Sequence, residues 1–212
     1  SWGMTPPSLY ILLTLNNVEN LMSNNTINIA LIGYGFVGKT FHAPLIRSVP
    51  GLNLAFVASR DEEKVKRDLP DVTVIASPEA AVQHPDVDLV VIASPNATHA
   101  PLARLALNAG KHVVVDKPFT LDMQEARELI ALAEEKQRLL SVFHNRRWDS
   151  DYLGIRQVIE QGTLGAVKHF ESHFDRFRPE VRVRWREQNV PGSGLWFDLG
   201  PHLIDQALQL FG

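Results

Sequence analysis

The chain contains no cysteine, which excludes disulfides, thiol catalysis and cysteine-ligated metal sites. This absence fits a reducing cytoplasm, which is the compartment that we expect. Long apolar runs are also missing, since the stretch at residues 9–15 is far shorter than the ~20 residues of a membrane-spanning helix. The net charge of −3 gives no general electrostatic reason to bind nucleic acid or an anionic membrane, so neither is an expected partner.

The N-terminal segment lacks positive charge, because no lysine or arginine occurs before Lys39. The basic n-region of a secretory signal is therefore missing. The opening Ser-Trp-Gly precedes Met4, and Met22 stands just before the first predicted strand. We interpret residues 1–26 as an extension of the folded chain, with a partner-binding segment as the alternative.

A glycine-rich motif organises the N-terminal half. The apolar run INIALI predicts a buried strand, and Gly33, Gly35 and Gly38 follow it in G-x-G-x-x-G spacing. The first glycine of such a motif allows a tight turn, the second lets a pyrophosphate approach the backbone, and the third brings the next helix close. That helix is predicted to begin near Phe36, so its first N–H groups, with that of Val37, face the phosphates. The motif indicates a dinucleotide-binding βαβ unit, and a glycine-rich turn in an unrelated α/β domain is the alternative.

The end of the second predicted strand, at residues 52–58, reads the adenosine ribose in such units. An acidic residue at this place is typical of NAD selectivity, but here Ser59 and Arg60 occupy it. A guanidinium and a hydroxyl suit a 2′-phosphate, so we predict NADP, with NAD as the second possibility. Asp61 is either a displaced ribose ligand or a helix N-cap.

Strands and helices alternate along residues 27–147, which predicts an α/β fold with a doubly wound parallel sheet. Strands are predicted at residues 27–32, 52–58, 72–75, 87–93, 112–115 and 139–143. Further helices are predicted at residues 79–83, 99–109 and 120–136, the last with a buried stripe that includes Ile130.

Residues 148–212 follow another pattern. They predict helices at residues 152–160 and 203–211 and a long strand at residues 166–177. One strand and two helices cannot bury a core, so we interpret this part as the beginning of an incomplete α+β open-sheet domain. An arginine run lies here, interleaved with Phe177 and Trp185: Arg176, Arg178, Arg182, Arg184 and Arg186. Without wider positive charge, it indicates a substrate-facing loop or a solvated strand edge rather than nucleic-acid binding.

Polar clusters follow three predicted elements, and active sites of open α/β sheets lie at the carboxyl ends of strands. These clusters are Ser94-Pro95-Asn96 with His99, Asp116-Lys117-Pro118, and Asp198 with His202. The first is alternatively a capped turn. Lys117 suits polarisation of a substrate oxygen or stabilisation of an alkoxide, with a solvated lysine as the alternative.

A carboxylate beside an imidazole can fix its tautomer and raise its basicity. Asp198 and His202 therefore predict a general base poised near neutral pH, unless they are a capping aspartate and a surface histidine. The eight histidines show no H-E-x-x-H or other ligand spacing, so no metal site is predicted.

Four ordered motifs, GYGFVG, SPNATH, VVVDKPFT and DLGPHLID, make residues 27–212 resemble the glucose–fructose oxidoreductase, inositol dehydrogenase and MocA-type oxidoreductases. The stretches SVFHNRRWDSDYLGIRQVIEQGTLG and RPEVRVRWRE look closest to the NADP-dependent scyllo-inositol dehydrogenases of that family. The resemblance implies a Rossmann domain followed by a substrate domain that completes the pocket and often forms a dimer or tetramer. Members of the family run well past this length, so the second domain is expected to be incomplete.

The resemblance also implies roles for individual residues. Lys117 would hydrogen-bond the reacting oxygen, with a cis peptide bond to Pro118, and His202 would accept the proton, assisted by Asp198. The cofactor's nicotinamide half would lie near the SPNATH residues, with Asp116 at its ribose. Asn145 and Arg146 would border cofactor and substrate. The family commonly has glutamate where Asp116 stands.

The expected activity is hydride transfer between NADP and a secondary alcohol of a cyclitol or sugar. Two alternatives remain: a non-catalytic NADP-binding sensor, and an inactive fragment of such an oxidoreductase.

Overall fold

The computed structural model describes residues 26–175, 177–180, 183 and 187–212. Its sheet contains β1 (Ile27–Ile32), β2 (Leu52–Ala58), β3 (Thr73–Ile75), β4 (Leu89–Ile92), β5 (His112–Asp116) and β6 (Leu140–Phe143). All neighbouring strands pair in parallel, in the order β3-β2-β1-β4-β5-β6. This confirms the predicted doubly wound Rossmann sheet. The strand order reverses between β1 and β4, where such sheets bind ligands.

Helices cover both faces of this sheet. Helical conformation begins at Phe36, as predicted, and a π-helical turn at Gly38–His42 leads into α1 (Ala43–Ser48). The other helices are α2 (Glu62–Asp68), α3 (Pro78–Val82), α4 (His99–Asn108), α5 (Met123–Lys136), α6 (Ser150–Glu160), α7 (Gly194–Asp198) and α8 (Gly200–Phe211). Short 3₁₀ turns at Asn96–Thr98 and Asn145–Trp148 follow β4 and β6.

Side-chain caps set several helix starts. The Asp61 carboxylate accepts from the Lys64 backbone N–H at 3.0 Å, which confirms the N-cap interpretation of this residue. Asp122 accepts from the Glu125 N–H at 2.8 Å, so α5 begins at Met123 and not at the predicted residue 120. An N-cap keeps non-helical backbone angles, which is why it and the residues before it stay outside the helix.

The core has two layers, one on each face of the sheet. Ala30 and Ile32 of β1 pack into one apolar cluster, and Ile29 and Leu31 pack into the other. Successive strand residues point to opposite faces, so a continuous apolar strand predicts this double burial. Ile130 of α5 was predicted to be buried, and this is wrong, because the residue is 44% exposed. It turns away from its buried neighbour Leu129 around the helix.

The predicted strand at residues 166–177 is wrong for its described part, because residues 166–175 and 177 form no strand. A strand needs a neighbour for its backbone groups, and local alternation cannot supply one. Within the arginine run, Arg176, Arg182, Arg184 and Arg186, together with Trp185, lie outside the described residues. Residues 1–25 also lie outside them, so the interpretation as an extension stays a prediction. In the part of the chain that the structure describes, no helix is long and apolar enough to cross a membrane.

Candidate active site

The glycine turn after β1 leaves room for a ligand at one position only. Gly33 has φ +98°, and a Cβ on it would lie 2.7 Å from the Ala93 carbonyl oxygen. A Cβ on Gly38 would collide with the Gly33 carbonyl oxygen, whereas one on Gly35 would meet nothing within 4 Å. Gly33 and Gly38 are therefore required by the fold itself. Gly35 exposes backbone at the helix start beside Phe36, as a pyrophosphate cradle requires.

The end of β2 presents polar and positive groups beside this turn. The Ser59 hydroxyl accepts from the Asp61 N–H at 3.1 Å, and Arg60 is exposed. The Lys64 ammonium reaches across from α2 and donates to the Tyr34 carbonyl, between the first two glycines, at 3.1 Å. Asp61 is engaged as the cap of α2, and Ser59, Arg60 and Lys64 lie at the end of β2 and the start of α2, where the ribose is expected.

The buried side chain of His99 contacts the backbone of the Ser94-Pro95-Asn96 segment at the end of β4. This imidazole is 1% exposed. Its Nδ1 lies 2.7 Å from the Pro118 carbonyl oxygen and its Nε2 lies 3.0 Å from the Ser94 carbonyl oxygen. His99 thus joins the end of β4 to the Pro118 carbonyl, and the Lys117–Pro118 peptide bond before it is cis, as the resemblance implied. Its effect on a cofactor would come through the backbone that it holds.

Asn96 is buried, and its side-chain amide donates to the Gly192 carbonyl at 2.9 Å. This bond ties the end of β4 to the loop before α7. Gly192 has φ +79°, and a Cβ there would lie 2.6 Å from Leu121 Cδ2, so the loop packs closely. The segment predicted to border the nicotinamide therefore also fixes the C-terminal region against the Rossmann domain.

Lys117 and Asp198 meet at the end of β5. The Lys117 ammonium donates to the Asp198 backbone carbonyl at 2.5 Å and lies 3.3 Å from its Oδ1. Only 12% of the lysine side chain and 19% of the aspartate side chain are exposed, so solvent screens this pair weakly. This excludes the solvated-lysine alternative, because Lys117 is held in place by a residue 81 positions later.

His202 lies in the first turn of α8, 5% exposed, and its Nδ1 is buried without a hydrogen-bond partner among the described residues. The predicted rise in basicity is wrong. Burial lowers the pKa of His202 to about 3, and nearby positive charges on Lys117, Arg146 and His144 lower it as well. Asp198 acts in the opposite direction, but it is the weakest of these influences, and its carboxylate lies against Lys117. The imidazole is therefore neutral over the whole physiological range.

The 3₁₀ turn after β6 brings Asn145 and Arg146 to the same edge of the sheet. The Arg146 guanidinium binds Asp149 at 2.7 Å and lies 4.9 Å from the centre of the Phe174 ring. The positive charge of Arg146 contributes to the lowered pKa of His202. The structure thus brings Lys117, Arg146, Asp198 and His202 together, while the phosphate-side residues lie around the glycine turn.

Three residues near this cluster escaped the sequence prediction: His144, Arg147 and Asp205. The Arg147 guanidinium binds both Asp205 oxygens, at 2.8 and 2.6 Å, and His144 Nε2 lies 3.9 Å from Asp205 Oδ1. His144 directly follows β6, so the rule that sites lie at strand ends could have found it. The pair between Arg147 and Asp205 joins residues 58 positions apart, for which the sequence carries no signal.

His42 lies beside the predicted nicotinamide ribose residue. It is 4% exposed, and its Nε2, without a hydrogen-bond partner in the described chain, lies 4.0 Å from Asp116 Oδ1. Its ring packs on Phe143, with centroids 4.3 Å apart. Burial lowers the pKa of His42 from 6.5 to about 4.

This lowered pKa makes folding acid-sensitive. The unfolded chain takes up the proton near pH 6.5 and the folded chain only near pH 4, so stability falls as the pH drops through this window. The loss from His42 approaches about 3 kcal/mol at the lower end. We expect His42→Gln to remove this part of the pH dependence, measured by urea unfolding at about pH 7 and about pH 5. His169→Gln, at an exposed histidine, should keep the parental dependence. An unchanged dependence in His42→Gln would contradict the assignment.

Comparison with known proteins identifies the family of this chain. Residues 27–144 match the model of an oxidoreductase family with an NAD-binding Rossmann fold, named GFO/IDH/MocA, and residues 152–212 match the C-terminal domain of the same family. The chain belongs to the GFO/IDH/MocA oxidoreductase family. Its N-terminal domain is therefore an NAD(P)-binding Rossmann domain, in agreement with the glycine cradle.

Several members of the family are similar over most of this chain. It is 61% identical to the uncharacterised oxidoreductase YdgJ of Escherichia coli, covering 90% of this chain and 55% of that protein. It is 40% identical to the scyllo-inositol 2-dehydrogenase (NADP⁺) IolW of Bacillus subtilis, covering 89% and 52%. A crystal structure of an oxidoreductase from Klebsiella pneumoniae is 94% identical with a TM-score of 0.81, covering 89% of this chain and 52% of that one. The chain thus spans about half the length of these relatives.

Proposed function

We propose that the chain is an NADP(H)-dependent oxidoreductase that interconverts a secondary alcohol and a ketone on a cyclitol or sugar. The observation that carries this proposal is the convergence of Lys117, Asp198 and His202 at the carboxyl end of β5. The Lys117 ammonium lies 3.3 Å from Asp198 Oδ1, and its positive charge helps to lower the pKa of the buried His202 imidazole. These groups suit alcohol oxidation, in which a proton leaves and negative charge develops on oxygen.

The residues present fit the dinucleotide. The open space at Gly35 and the helix start behind it suit a pyrophosphate, and the groups around Ser59 suit a 2′-phosphate. The residues that would hold the cofactor are Gly33, Gly35, Phe36, Val37, Gly38, Ser59, Arg60, Ser94, Pro95, Asn96, Asp116, Lys117 and Asn145. His99 would act through the backbone that it holds. When bound, the cofactor supplies the nicotinamide carbon that takes up or delivers the hydride.

Within this arrangement each side chain has a distinct task. His202 is neutral before the reaction and becomes positively charged when its imidazole takes the hydroxyl proton, and Lys117 stabilises the negative charge that develops on the substrate oxygen. Asp198 fixes the Lys117 ammonium through its carbonyl and carboxylate oxygens. Arg146, which lies close enough to His202 to influence its pKa, borders the substrate. The reverse reaction uses the same groups with the proton returned.

The cyclitol assignment is supported by the similarity to the scyllo-inositol dehydrogenase IolW, at 40% identity. Assembly into a dimer or tetramer is part of the same proposal, as the family resemblance implies.

Turnover tests the proposal directly. The purified chain is incubated with NADP⁺ and scyllo-inositol, myo-inositol or glucose, and NADPH absorbance is followed. We expect NADPH to form when an inositol is the substrate, and we expect this formation to be abolished in Lys117→Met. NADPH binding without oxidation of any polyol would contradict the enzymatic proposal and favour a cofactor-binding sensor.

The coenzyme preference rests on Arg60. We expect Arg60→Ala to weaken NADPH binding about tenfold and to leave NADH binding unchanged, because only NADPH carries the 2′-phosphate. Fluorescence titration with both coenzymes measures this effect. Arg67→Ala is the matched control, since this arginine lies in α2 with an exposed side chain that faces Asp68. Equal weakening for both coenzymes would contradict the assignment.

A further inference from the structure

Helix α8 presents its polar side to the Rossmann domain. His202 and Asp205 are its buried residues, whereas Ile204, Leu208 and Phe211 are 45%, 58% and 49% exposed. Apolar burial is normally what fixes a helix on its domain. Within the described chain, an ion pair and a side-chain hydrogen bond join this polar side to the turn after β6.

The strongest of these contacts is the Arg147–Asp205 ion pair. Arg147 Nε and Nη2 donate to the two carboxylate oxygens at 2.8 and 2.6 Å, and the aspartate side chain is only 10% exposed. A fork of two parallel charge-assisted bonds fixes the orientation as well as the distance of its partners. The hydrogen bonds that Arg147 donates to Asp205 also raise the pKa of Arg147, so the guanidinium stays charged.

The ion pair connects the catalytic histidine to the sheet. Asp205 lies one helical turn after His202, so both project from the same face of α8. Arg147 belongs to the 3₁₀ turn that directly follows β6. A second bond, from the Gln206 amide to the Arg146 carbonyl at 3.0 Å, joins the same two elements. A shift of α8 along this turn would displace His202 from Lys117.

We propose that the Arg147–Asp205 ion pair is a positioning device, which fixes helix α8 against the end of β6 and thereby sets the place of His202 relative to Lys117. Neither residue touches the reacting atoms in the mechanism above. The activity consequence rests on the proposed function, whereas the consequence for the environment of His202 does not.

Two conservative variants test this role. Asp205→Asn keeps the shape and removes the charge, and Arg147→Lys keeps the charge and removes the fork. Neither variant leaves an unpaired buried charge. In Asp205→Asn the Arg147 side chain is 40% exposed to solvent, and in Arg147→Lys the lysine still pairs with Asp205. Glu128→Gln is the control, because its ion pair with Arg104, at 2.7 Å, joins α4 to α5 away from the site.

The first readout is kinetic. We expect kcat to fall by about tenfold to 100-fold in both variants, since a displacement of about 1 Å can cost this much. The KM for NADP⁺ should stay unchanged, because the glycine cradle is untouched. Loss of activity in Asp205→Asn with full activity in Arg147→Lys would overturn the proposal and indicate a purely electrostatic role.

The second readout needs no turnover. The His202 ring-proton resonance is followed by NMR between about pH 5 and about pH 8. The charged and titratable groups that influence this imidazole are those of Lys117, Arg146, His144 and Asp198. We expect no titration of His202 in the parent and in Glu128→Gln. We expect titration to begin in Asp205→Asn and in Arg147→Lys, because the ring becomes more exposed to solvent. If the His202 resonance did not titrate in either variant, the positioning role would be overturned. Failure of the parent to bind NADPH would overturn the proposed function without affecting this result.

Discussion

Replacing His202 with asparagine is expected to lower kcat for polyol oxidation by about 10²- to 10⁴-fold, the usual contribution of a general base. The imidazole is 5% exposed and its pKa is lowered to about 3, so in the parent it is neutral, as a proton acceptor must be, while the low pKa makes it a weak base. Asparagine preserves a polar group of similar size but cannot take up the proton. The rate of NADPH formation at saturating NADP⁺ and polyol measures the effect.

The same variant should bind NADPH as the parent does, because His202 lies in α8 and not in the glycine turn. His169→Asn provides the control, since this histidine is exposed and pairs only with Glu171 at 2.7 Å in the described chain. A parental rate in His202→Asn would remove this residue from the mechanism and leave Lys117 as the principal catalytic group.

Substitutions in the glycine turn should separate folding from cofactor binding. In Gly35→Val the side chain enters open space, so we expect the unfolding temperature to stay near that of the parent while NADPH affinity falls more than about tenfold. In Gly38→Ala the new Cβ meets the Gly33 carbonyl oxygen, so we expect a loss of stability of about 1–3 kcal/mol. Thermal unfolding and NADPH fluorescence titration measure the two quantities.

The contrast between these two positions is the control for each of them. If Gly35→Val unfolded at a much lower temperature, its effect on binding would be an indirect one. If it bound NADPH with parental affinity, the pyrophosphate would not approach this glycine, and the cradle would have to be placed elsewhere.

The order of elements could be predicted from the sequence because its signals are local. The β2 bounds at Leu52–Ala58 follow from an apolar run between turn residues, and Asp61 and Ser77 each precede a short helix as caps. The strand predicted at residues 166–177 was wrong because the pairing of strands is not a local property of the sequence. Its alternation is local, but a strand forms only beside another strand, which the described chain does not provide there.

The structure brings Lys117, Asp198 and His202 together, as the sequence predicts, but their electrostatics differ from the prediction. Asp198 lies close to His202 in sequence, which suggested a raised basicity, but burial and the Lys117 charge arrive from other elements and outweigh it. Asp205 lies just as close to His202, yet its partner Arg147 comes from the turn after β6. Such contacts depend on how α8 packs on the sheet, which no spacing along the chain records.

The measurement that tests the central claim most directly is a fluorescence titration of the purified chain with NADPH and, in parallel, with NADH. The account predicts saturation by NADPH, with NADH about tenfold weaker, because the Ser59 hydroxyl and the Arg60 guanidinium suit a 2′-phosphate. A preference for NADH would contradict the phosphate site and favour Asp61 as a ribose ligand. The absence of saturation with either coenzyme would contradict the account as a whole.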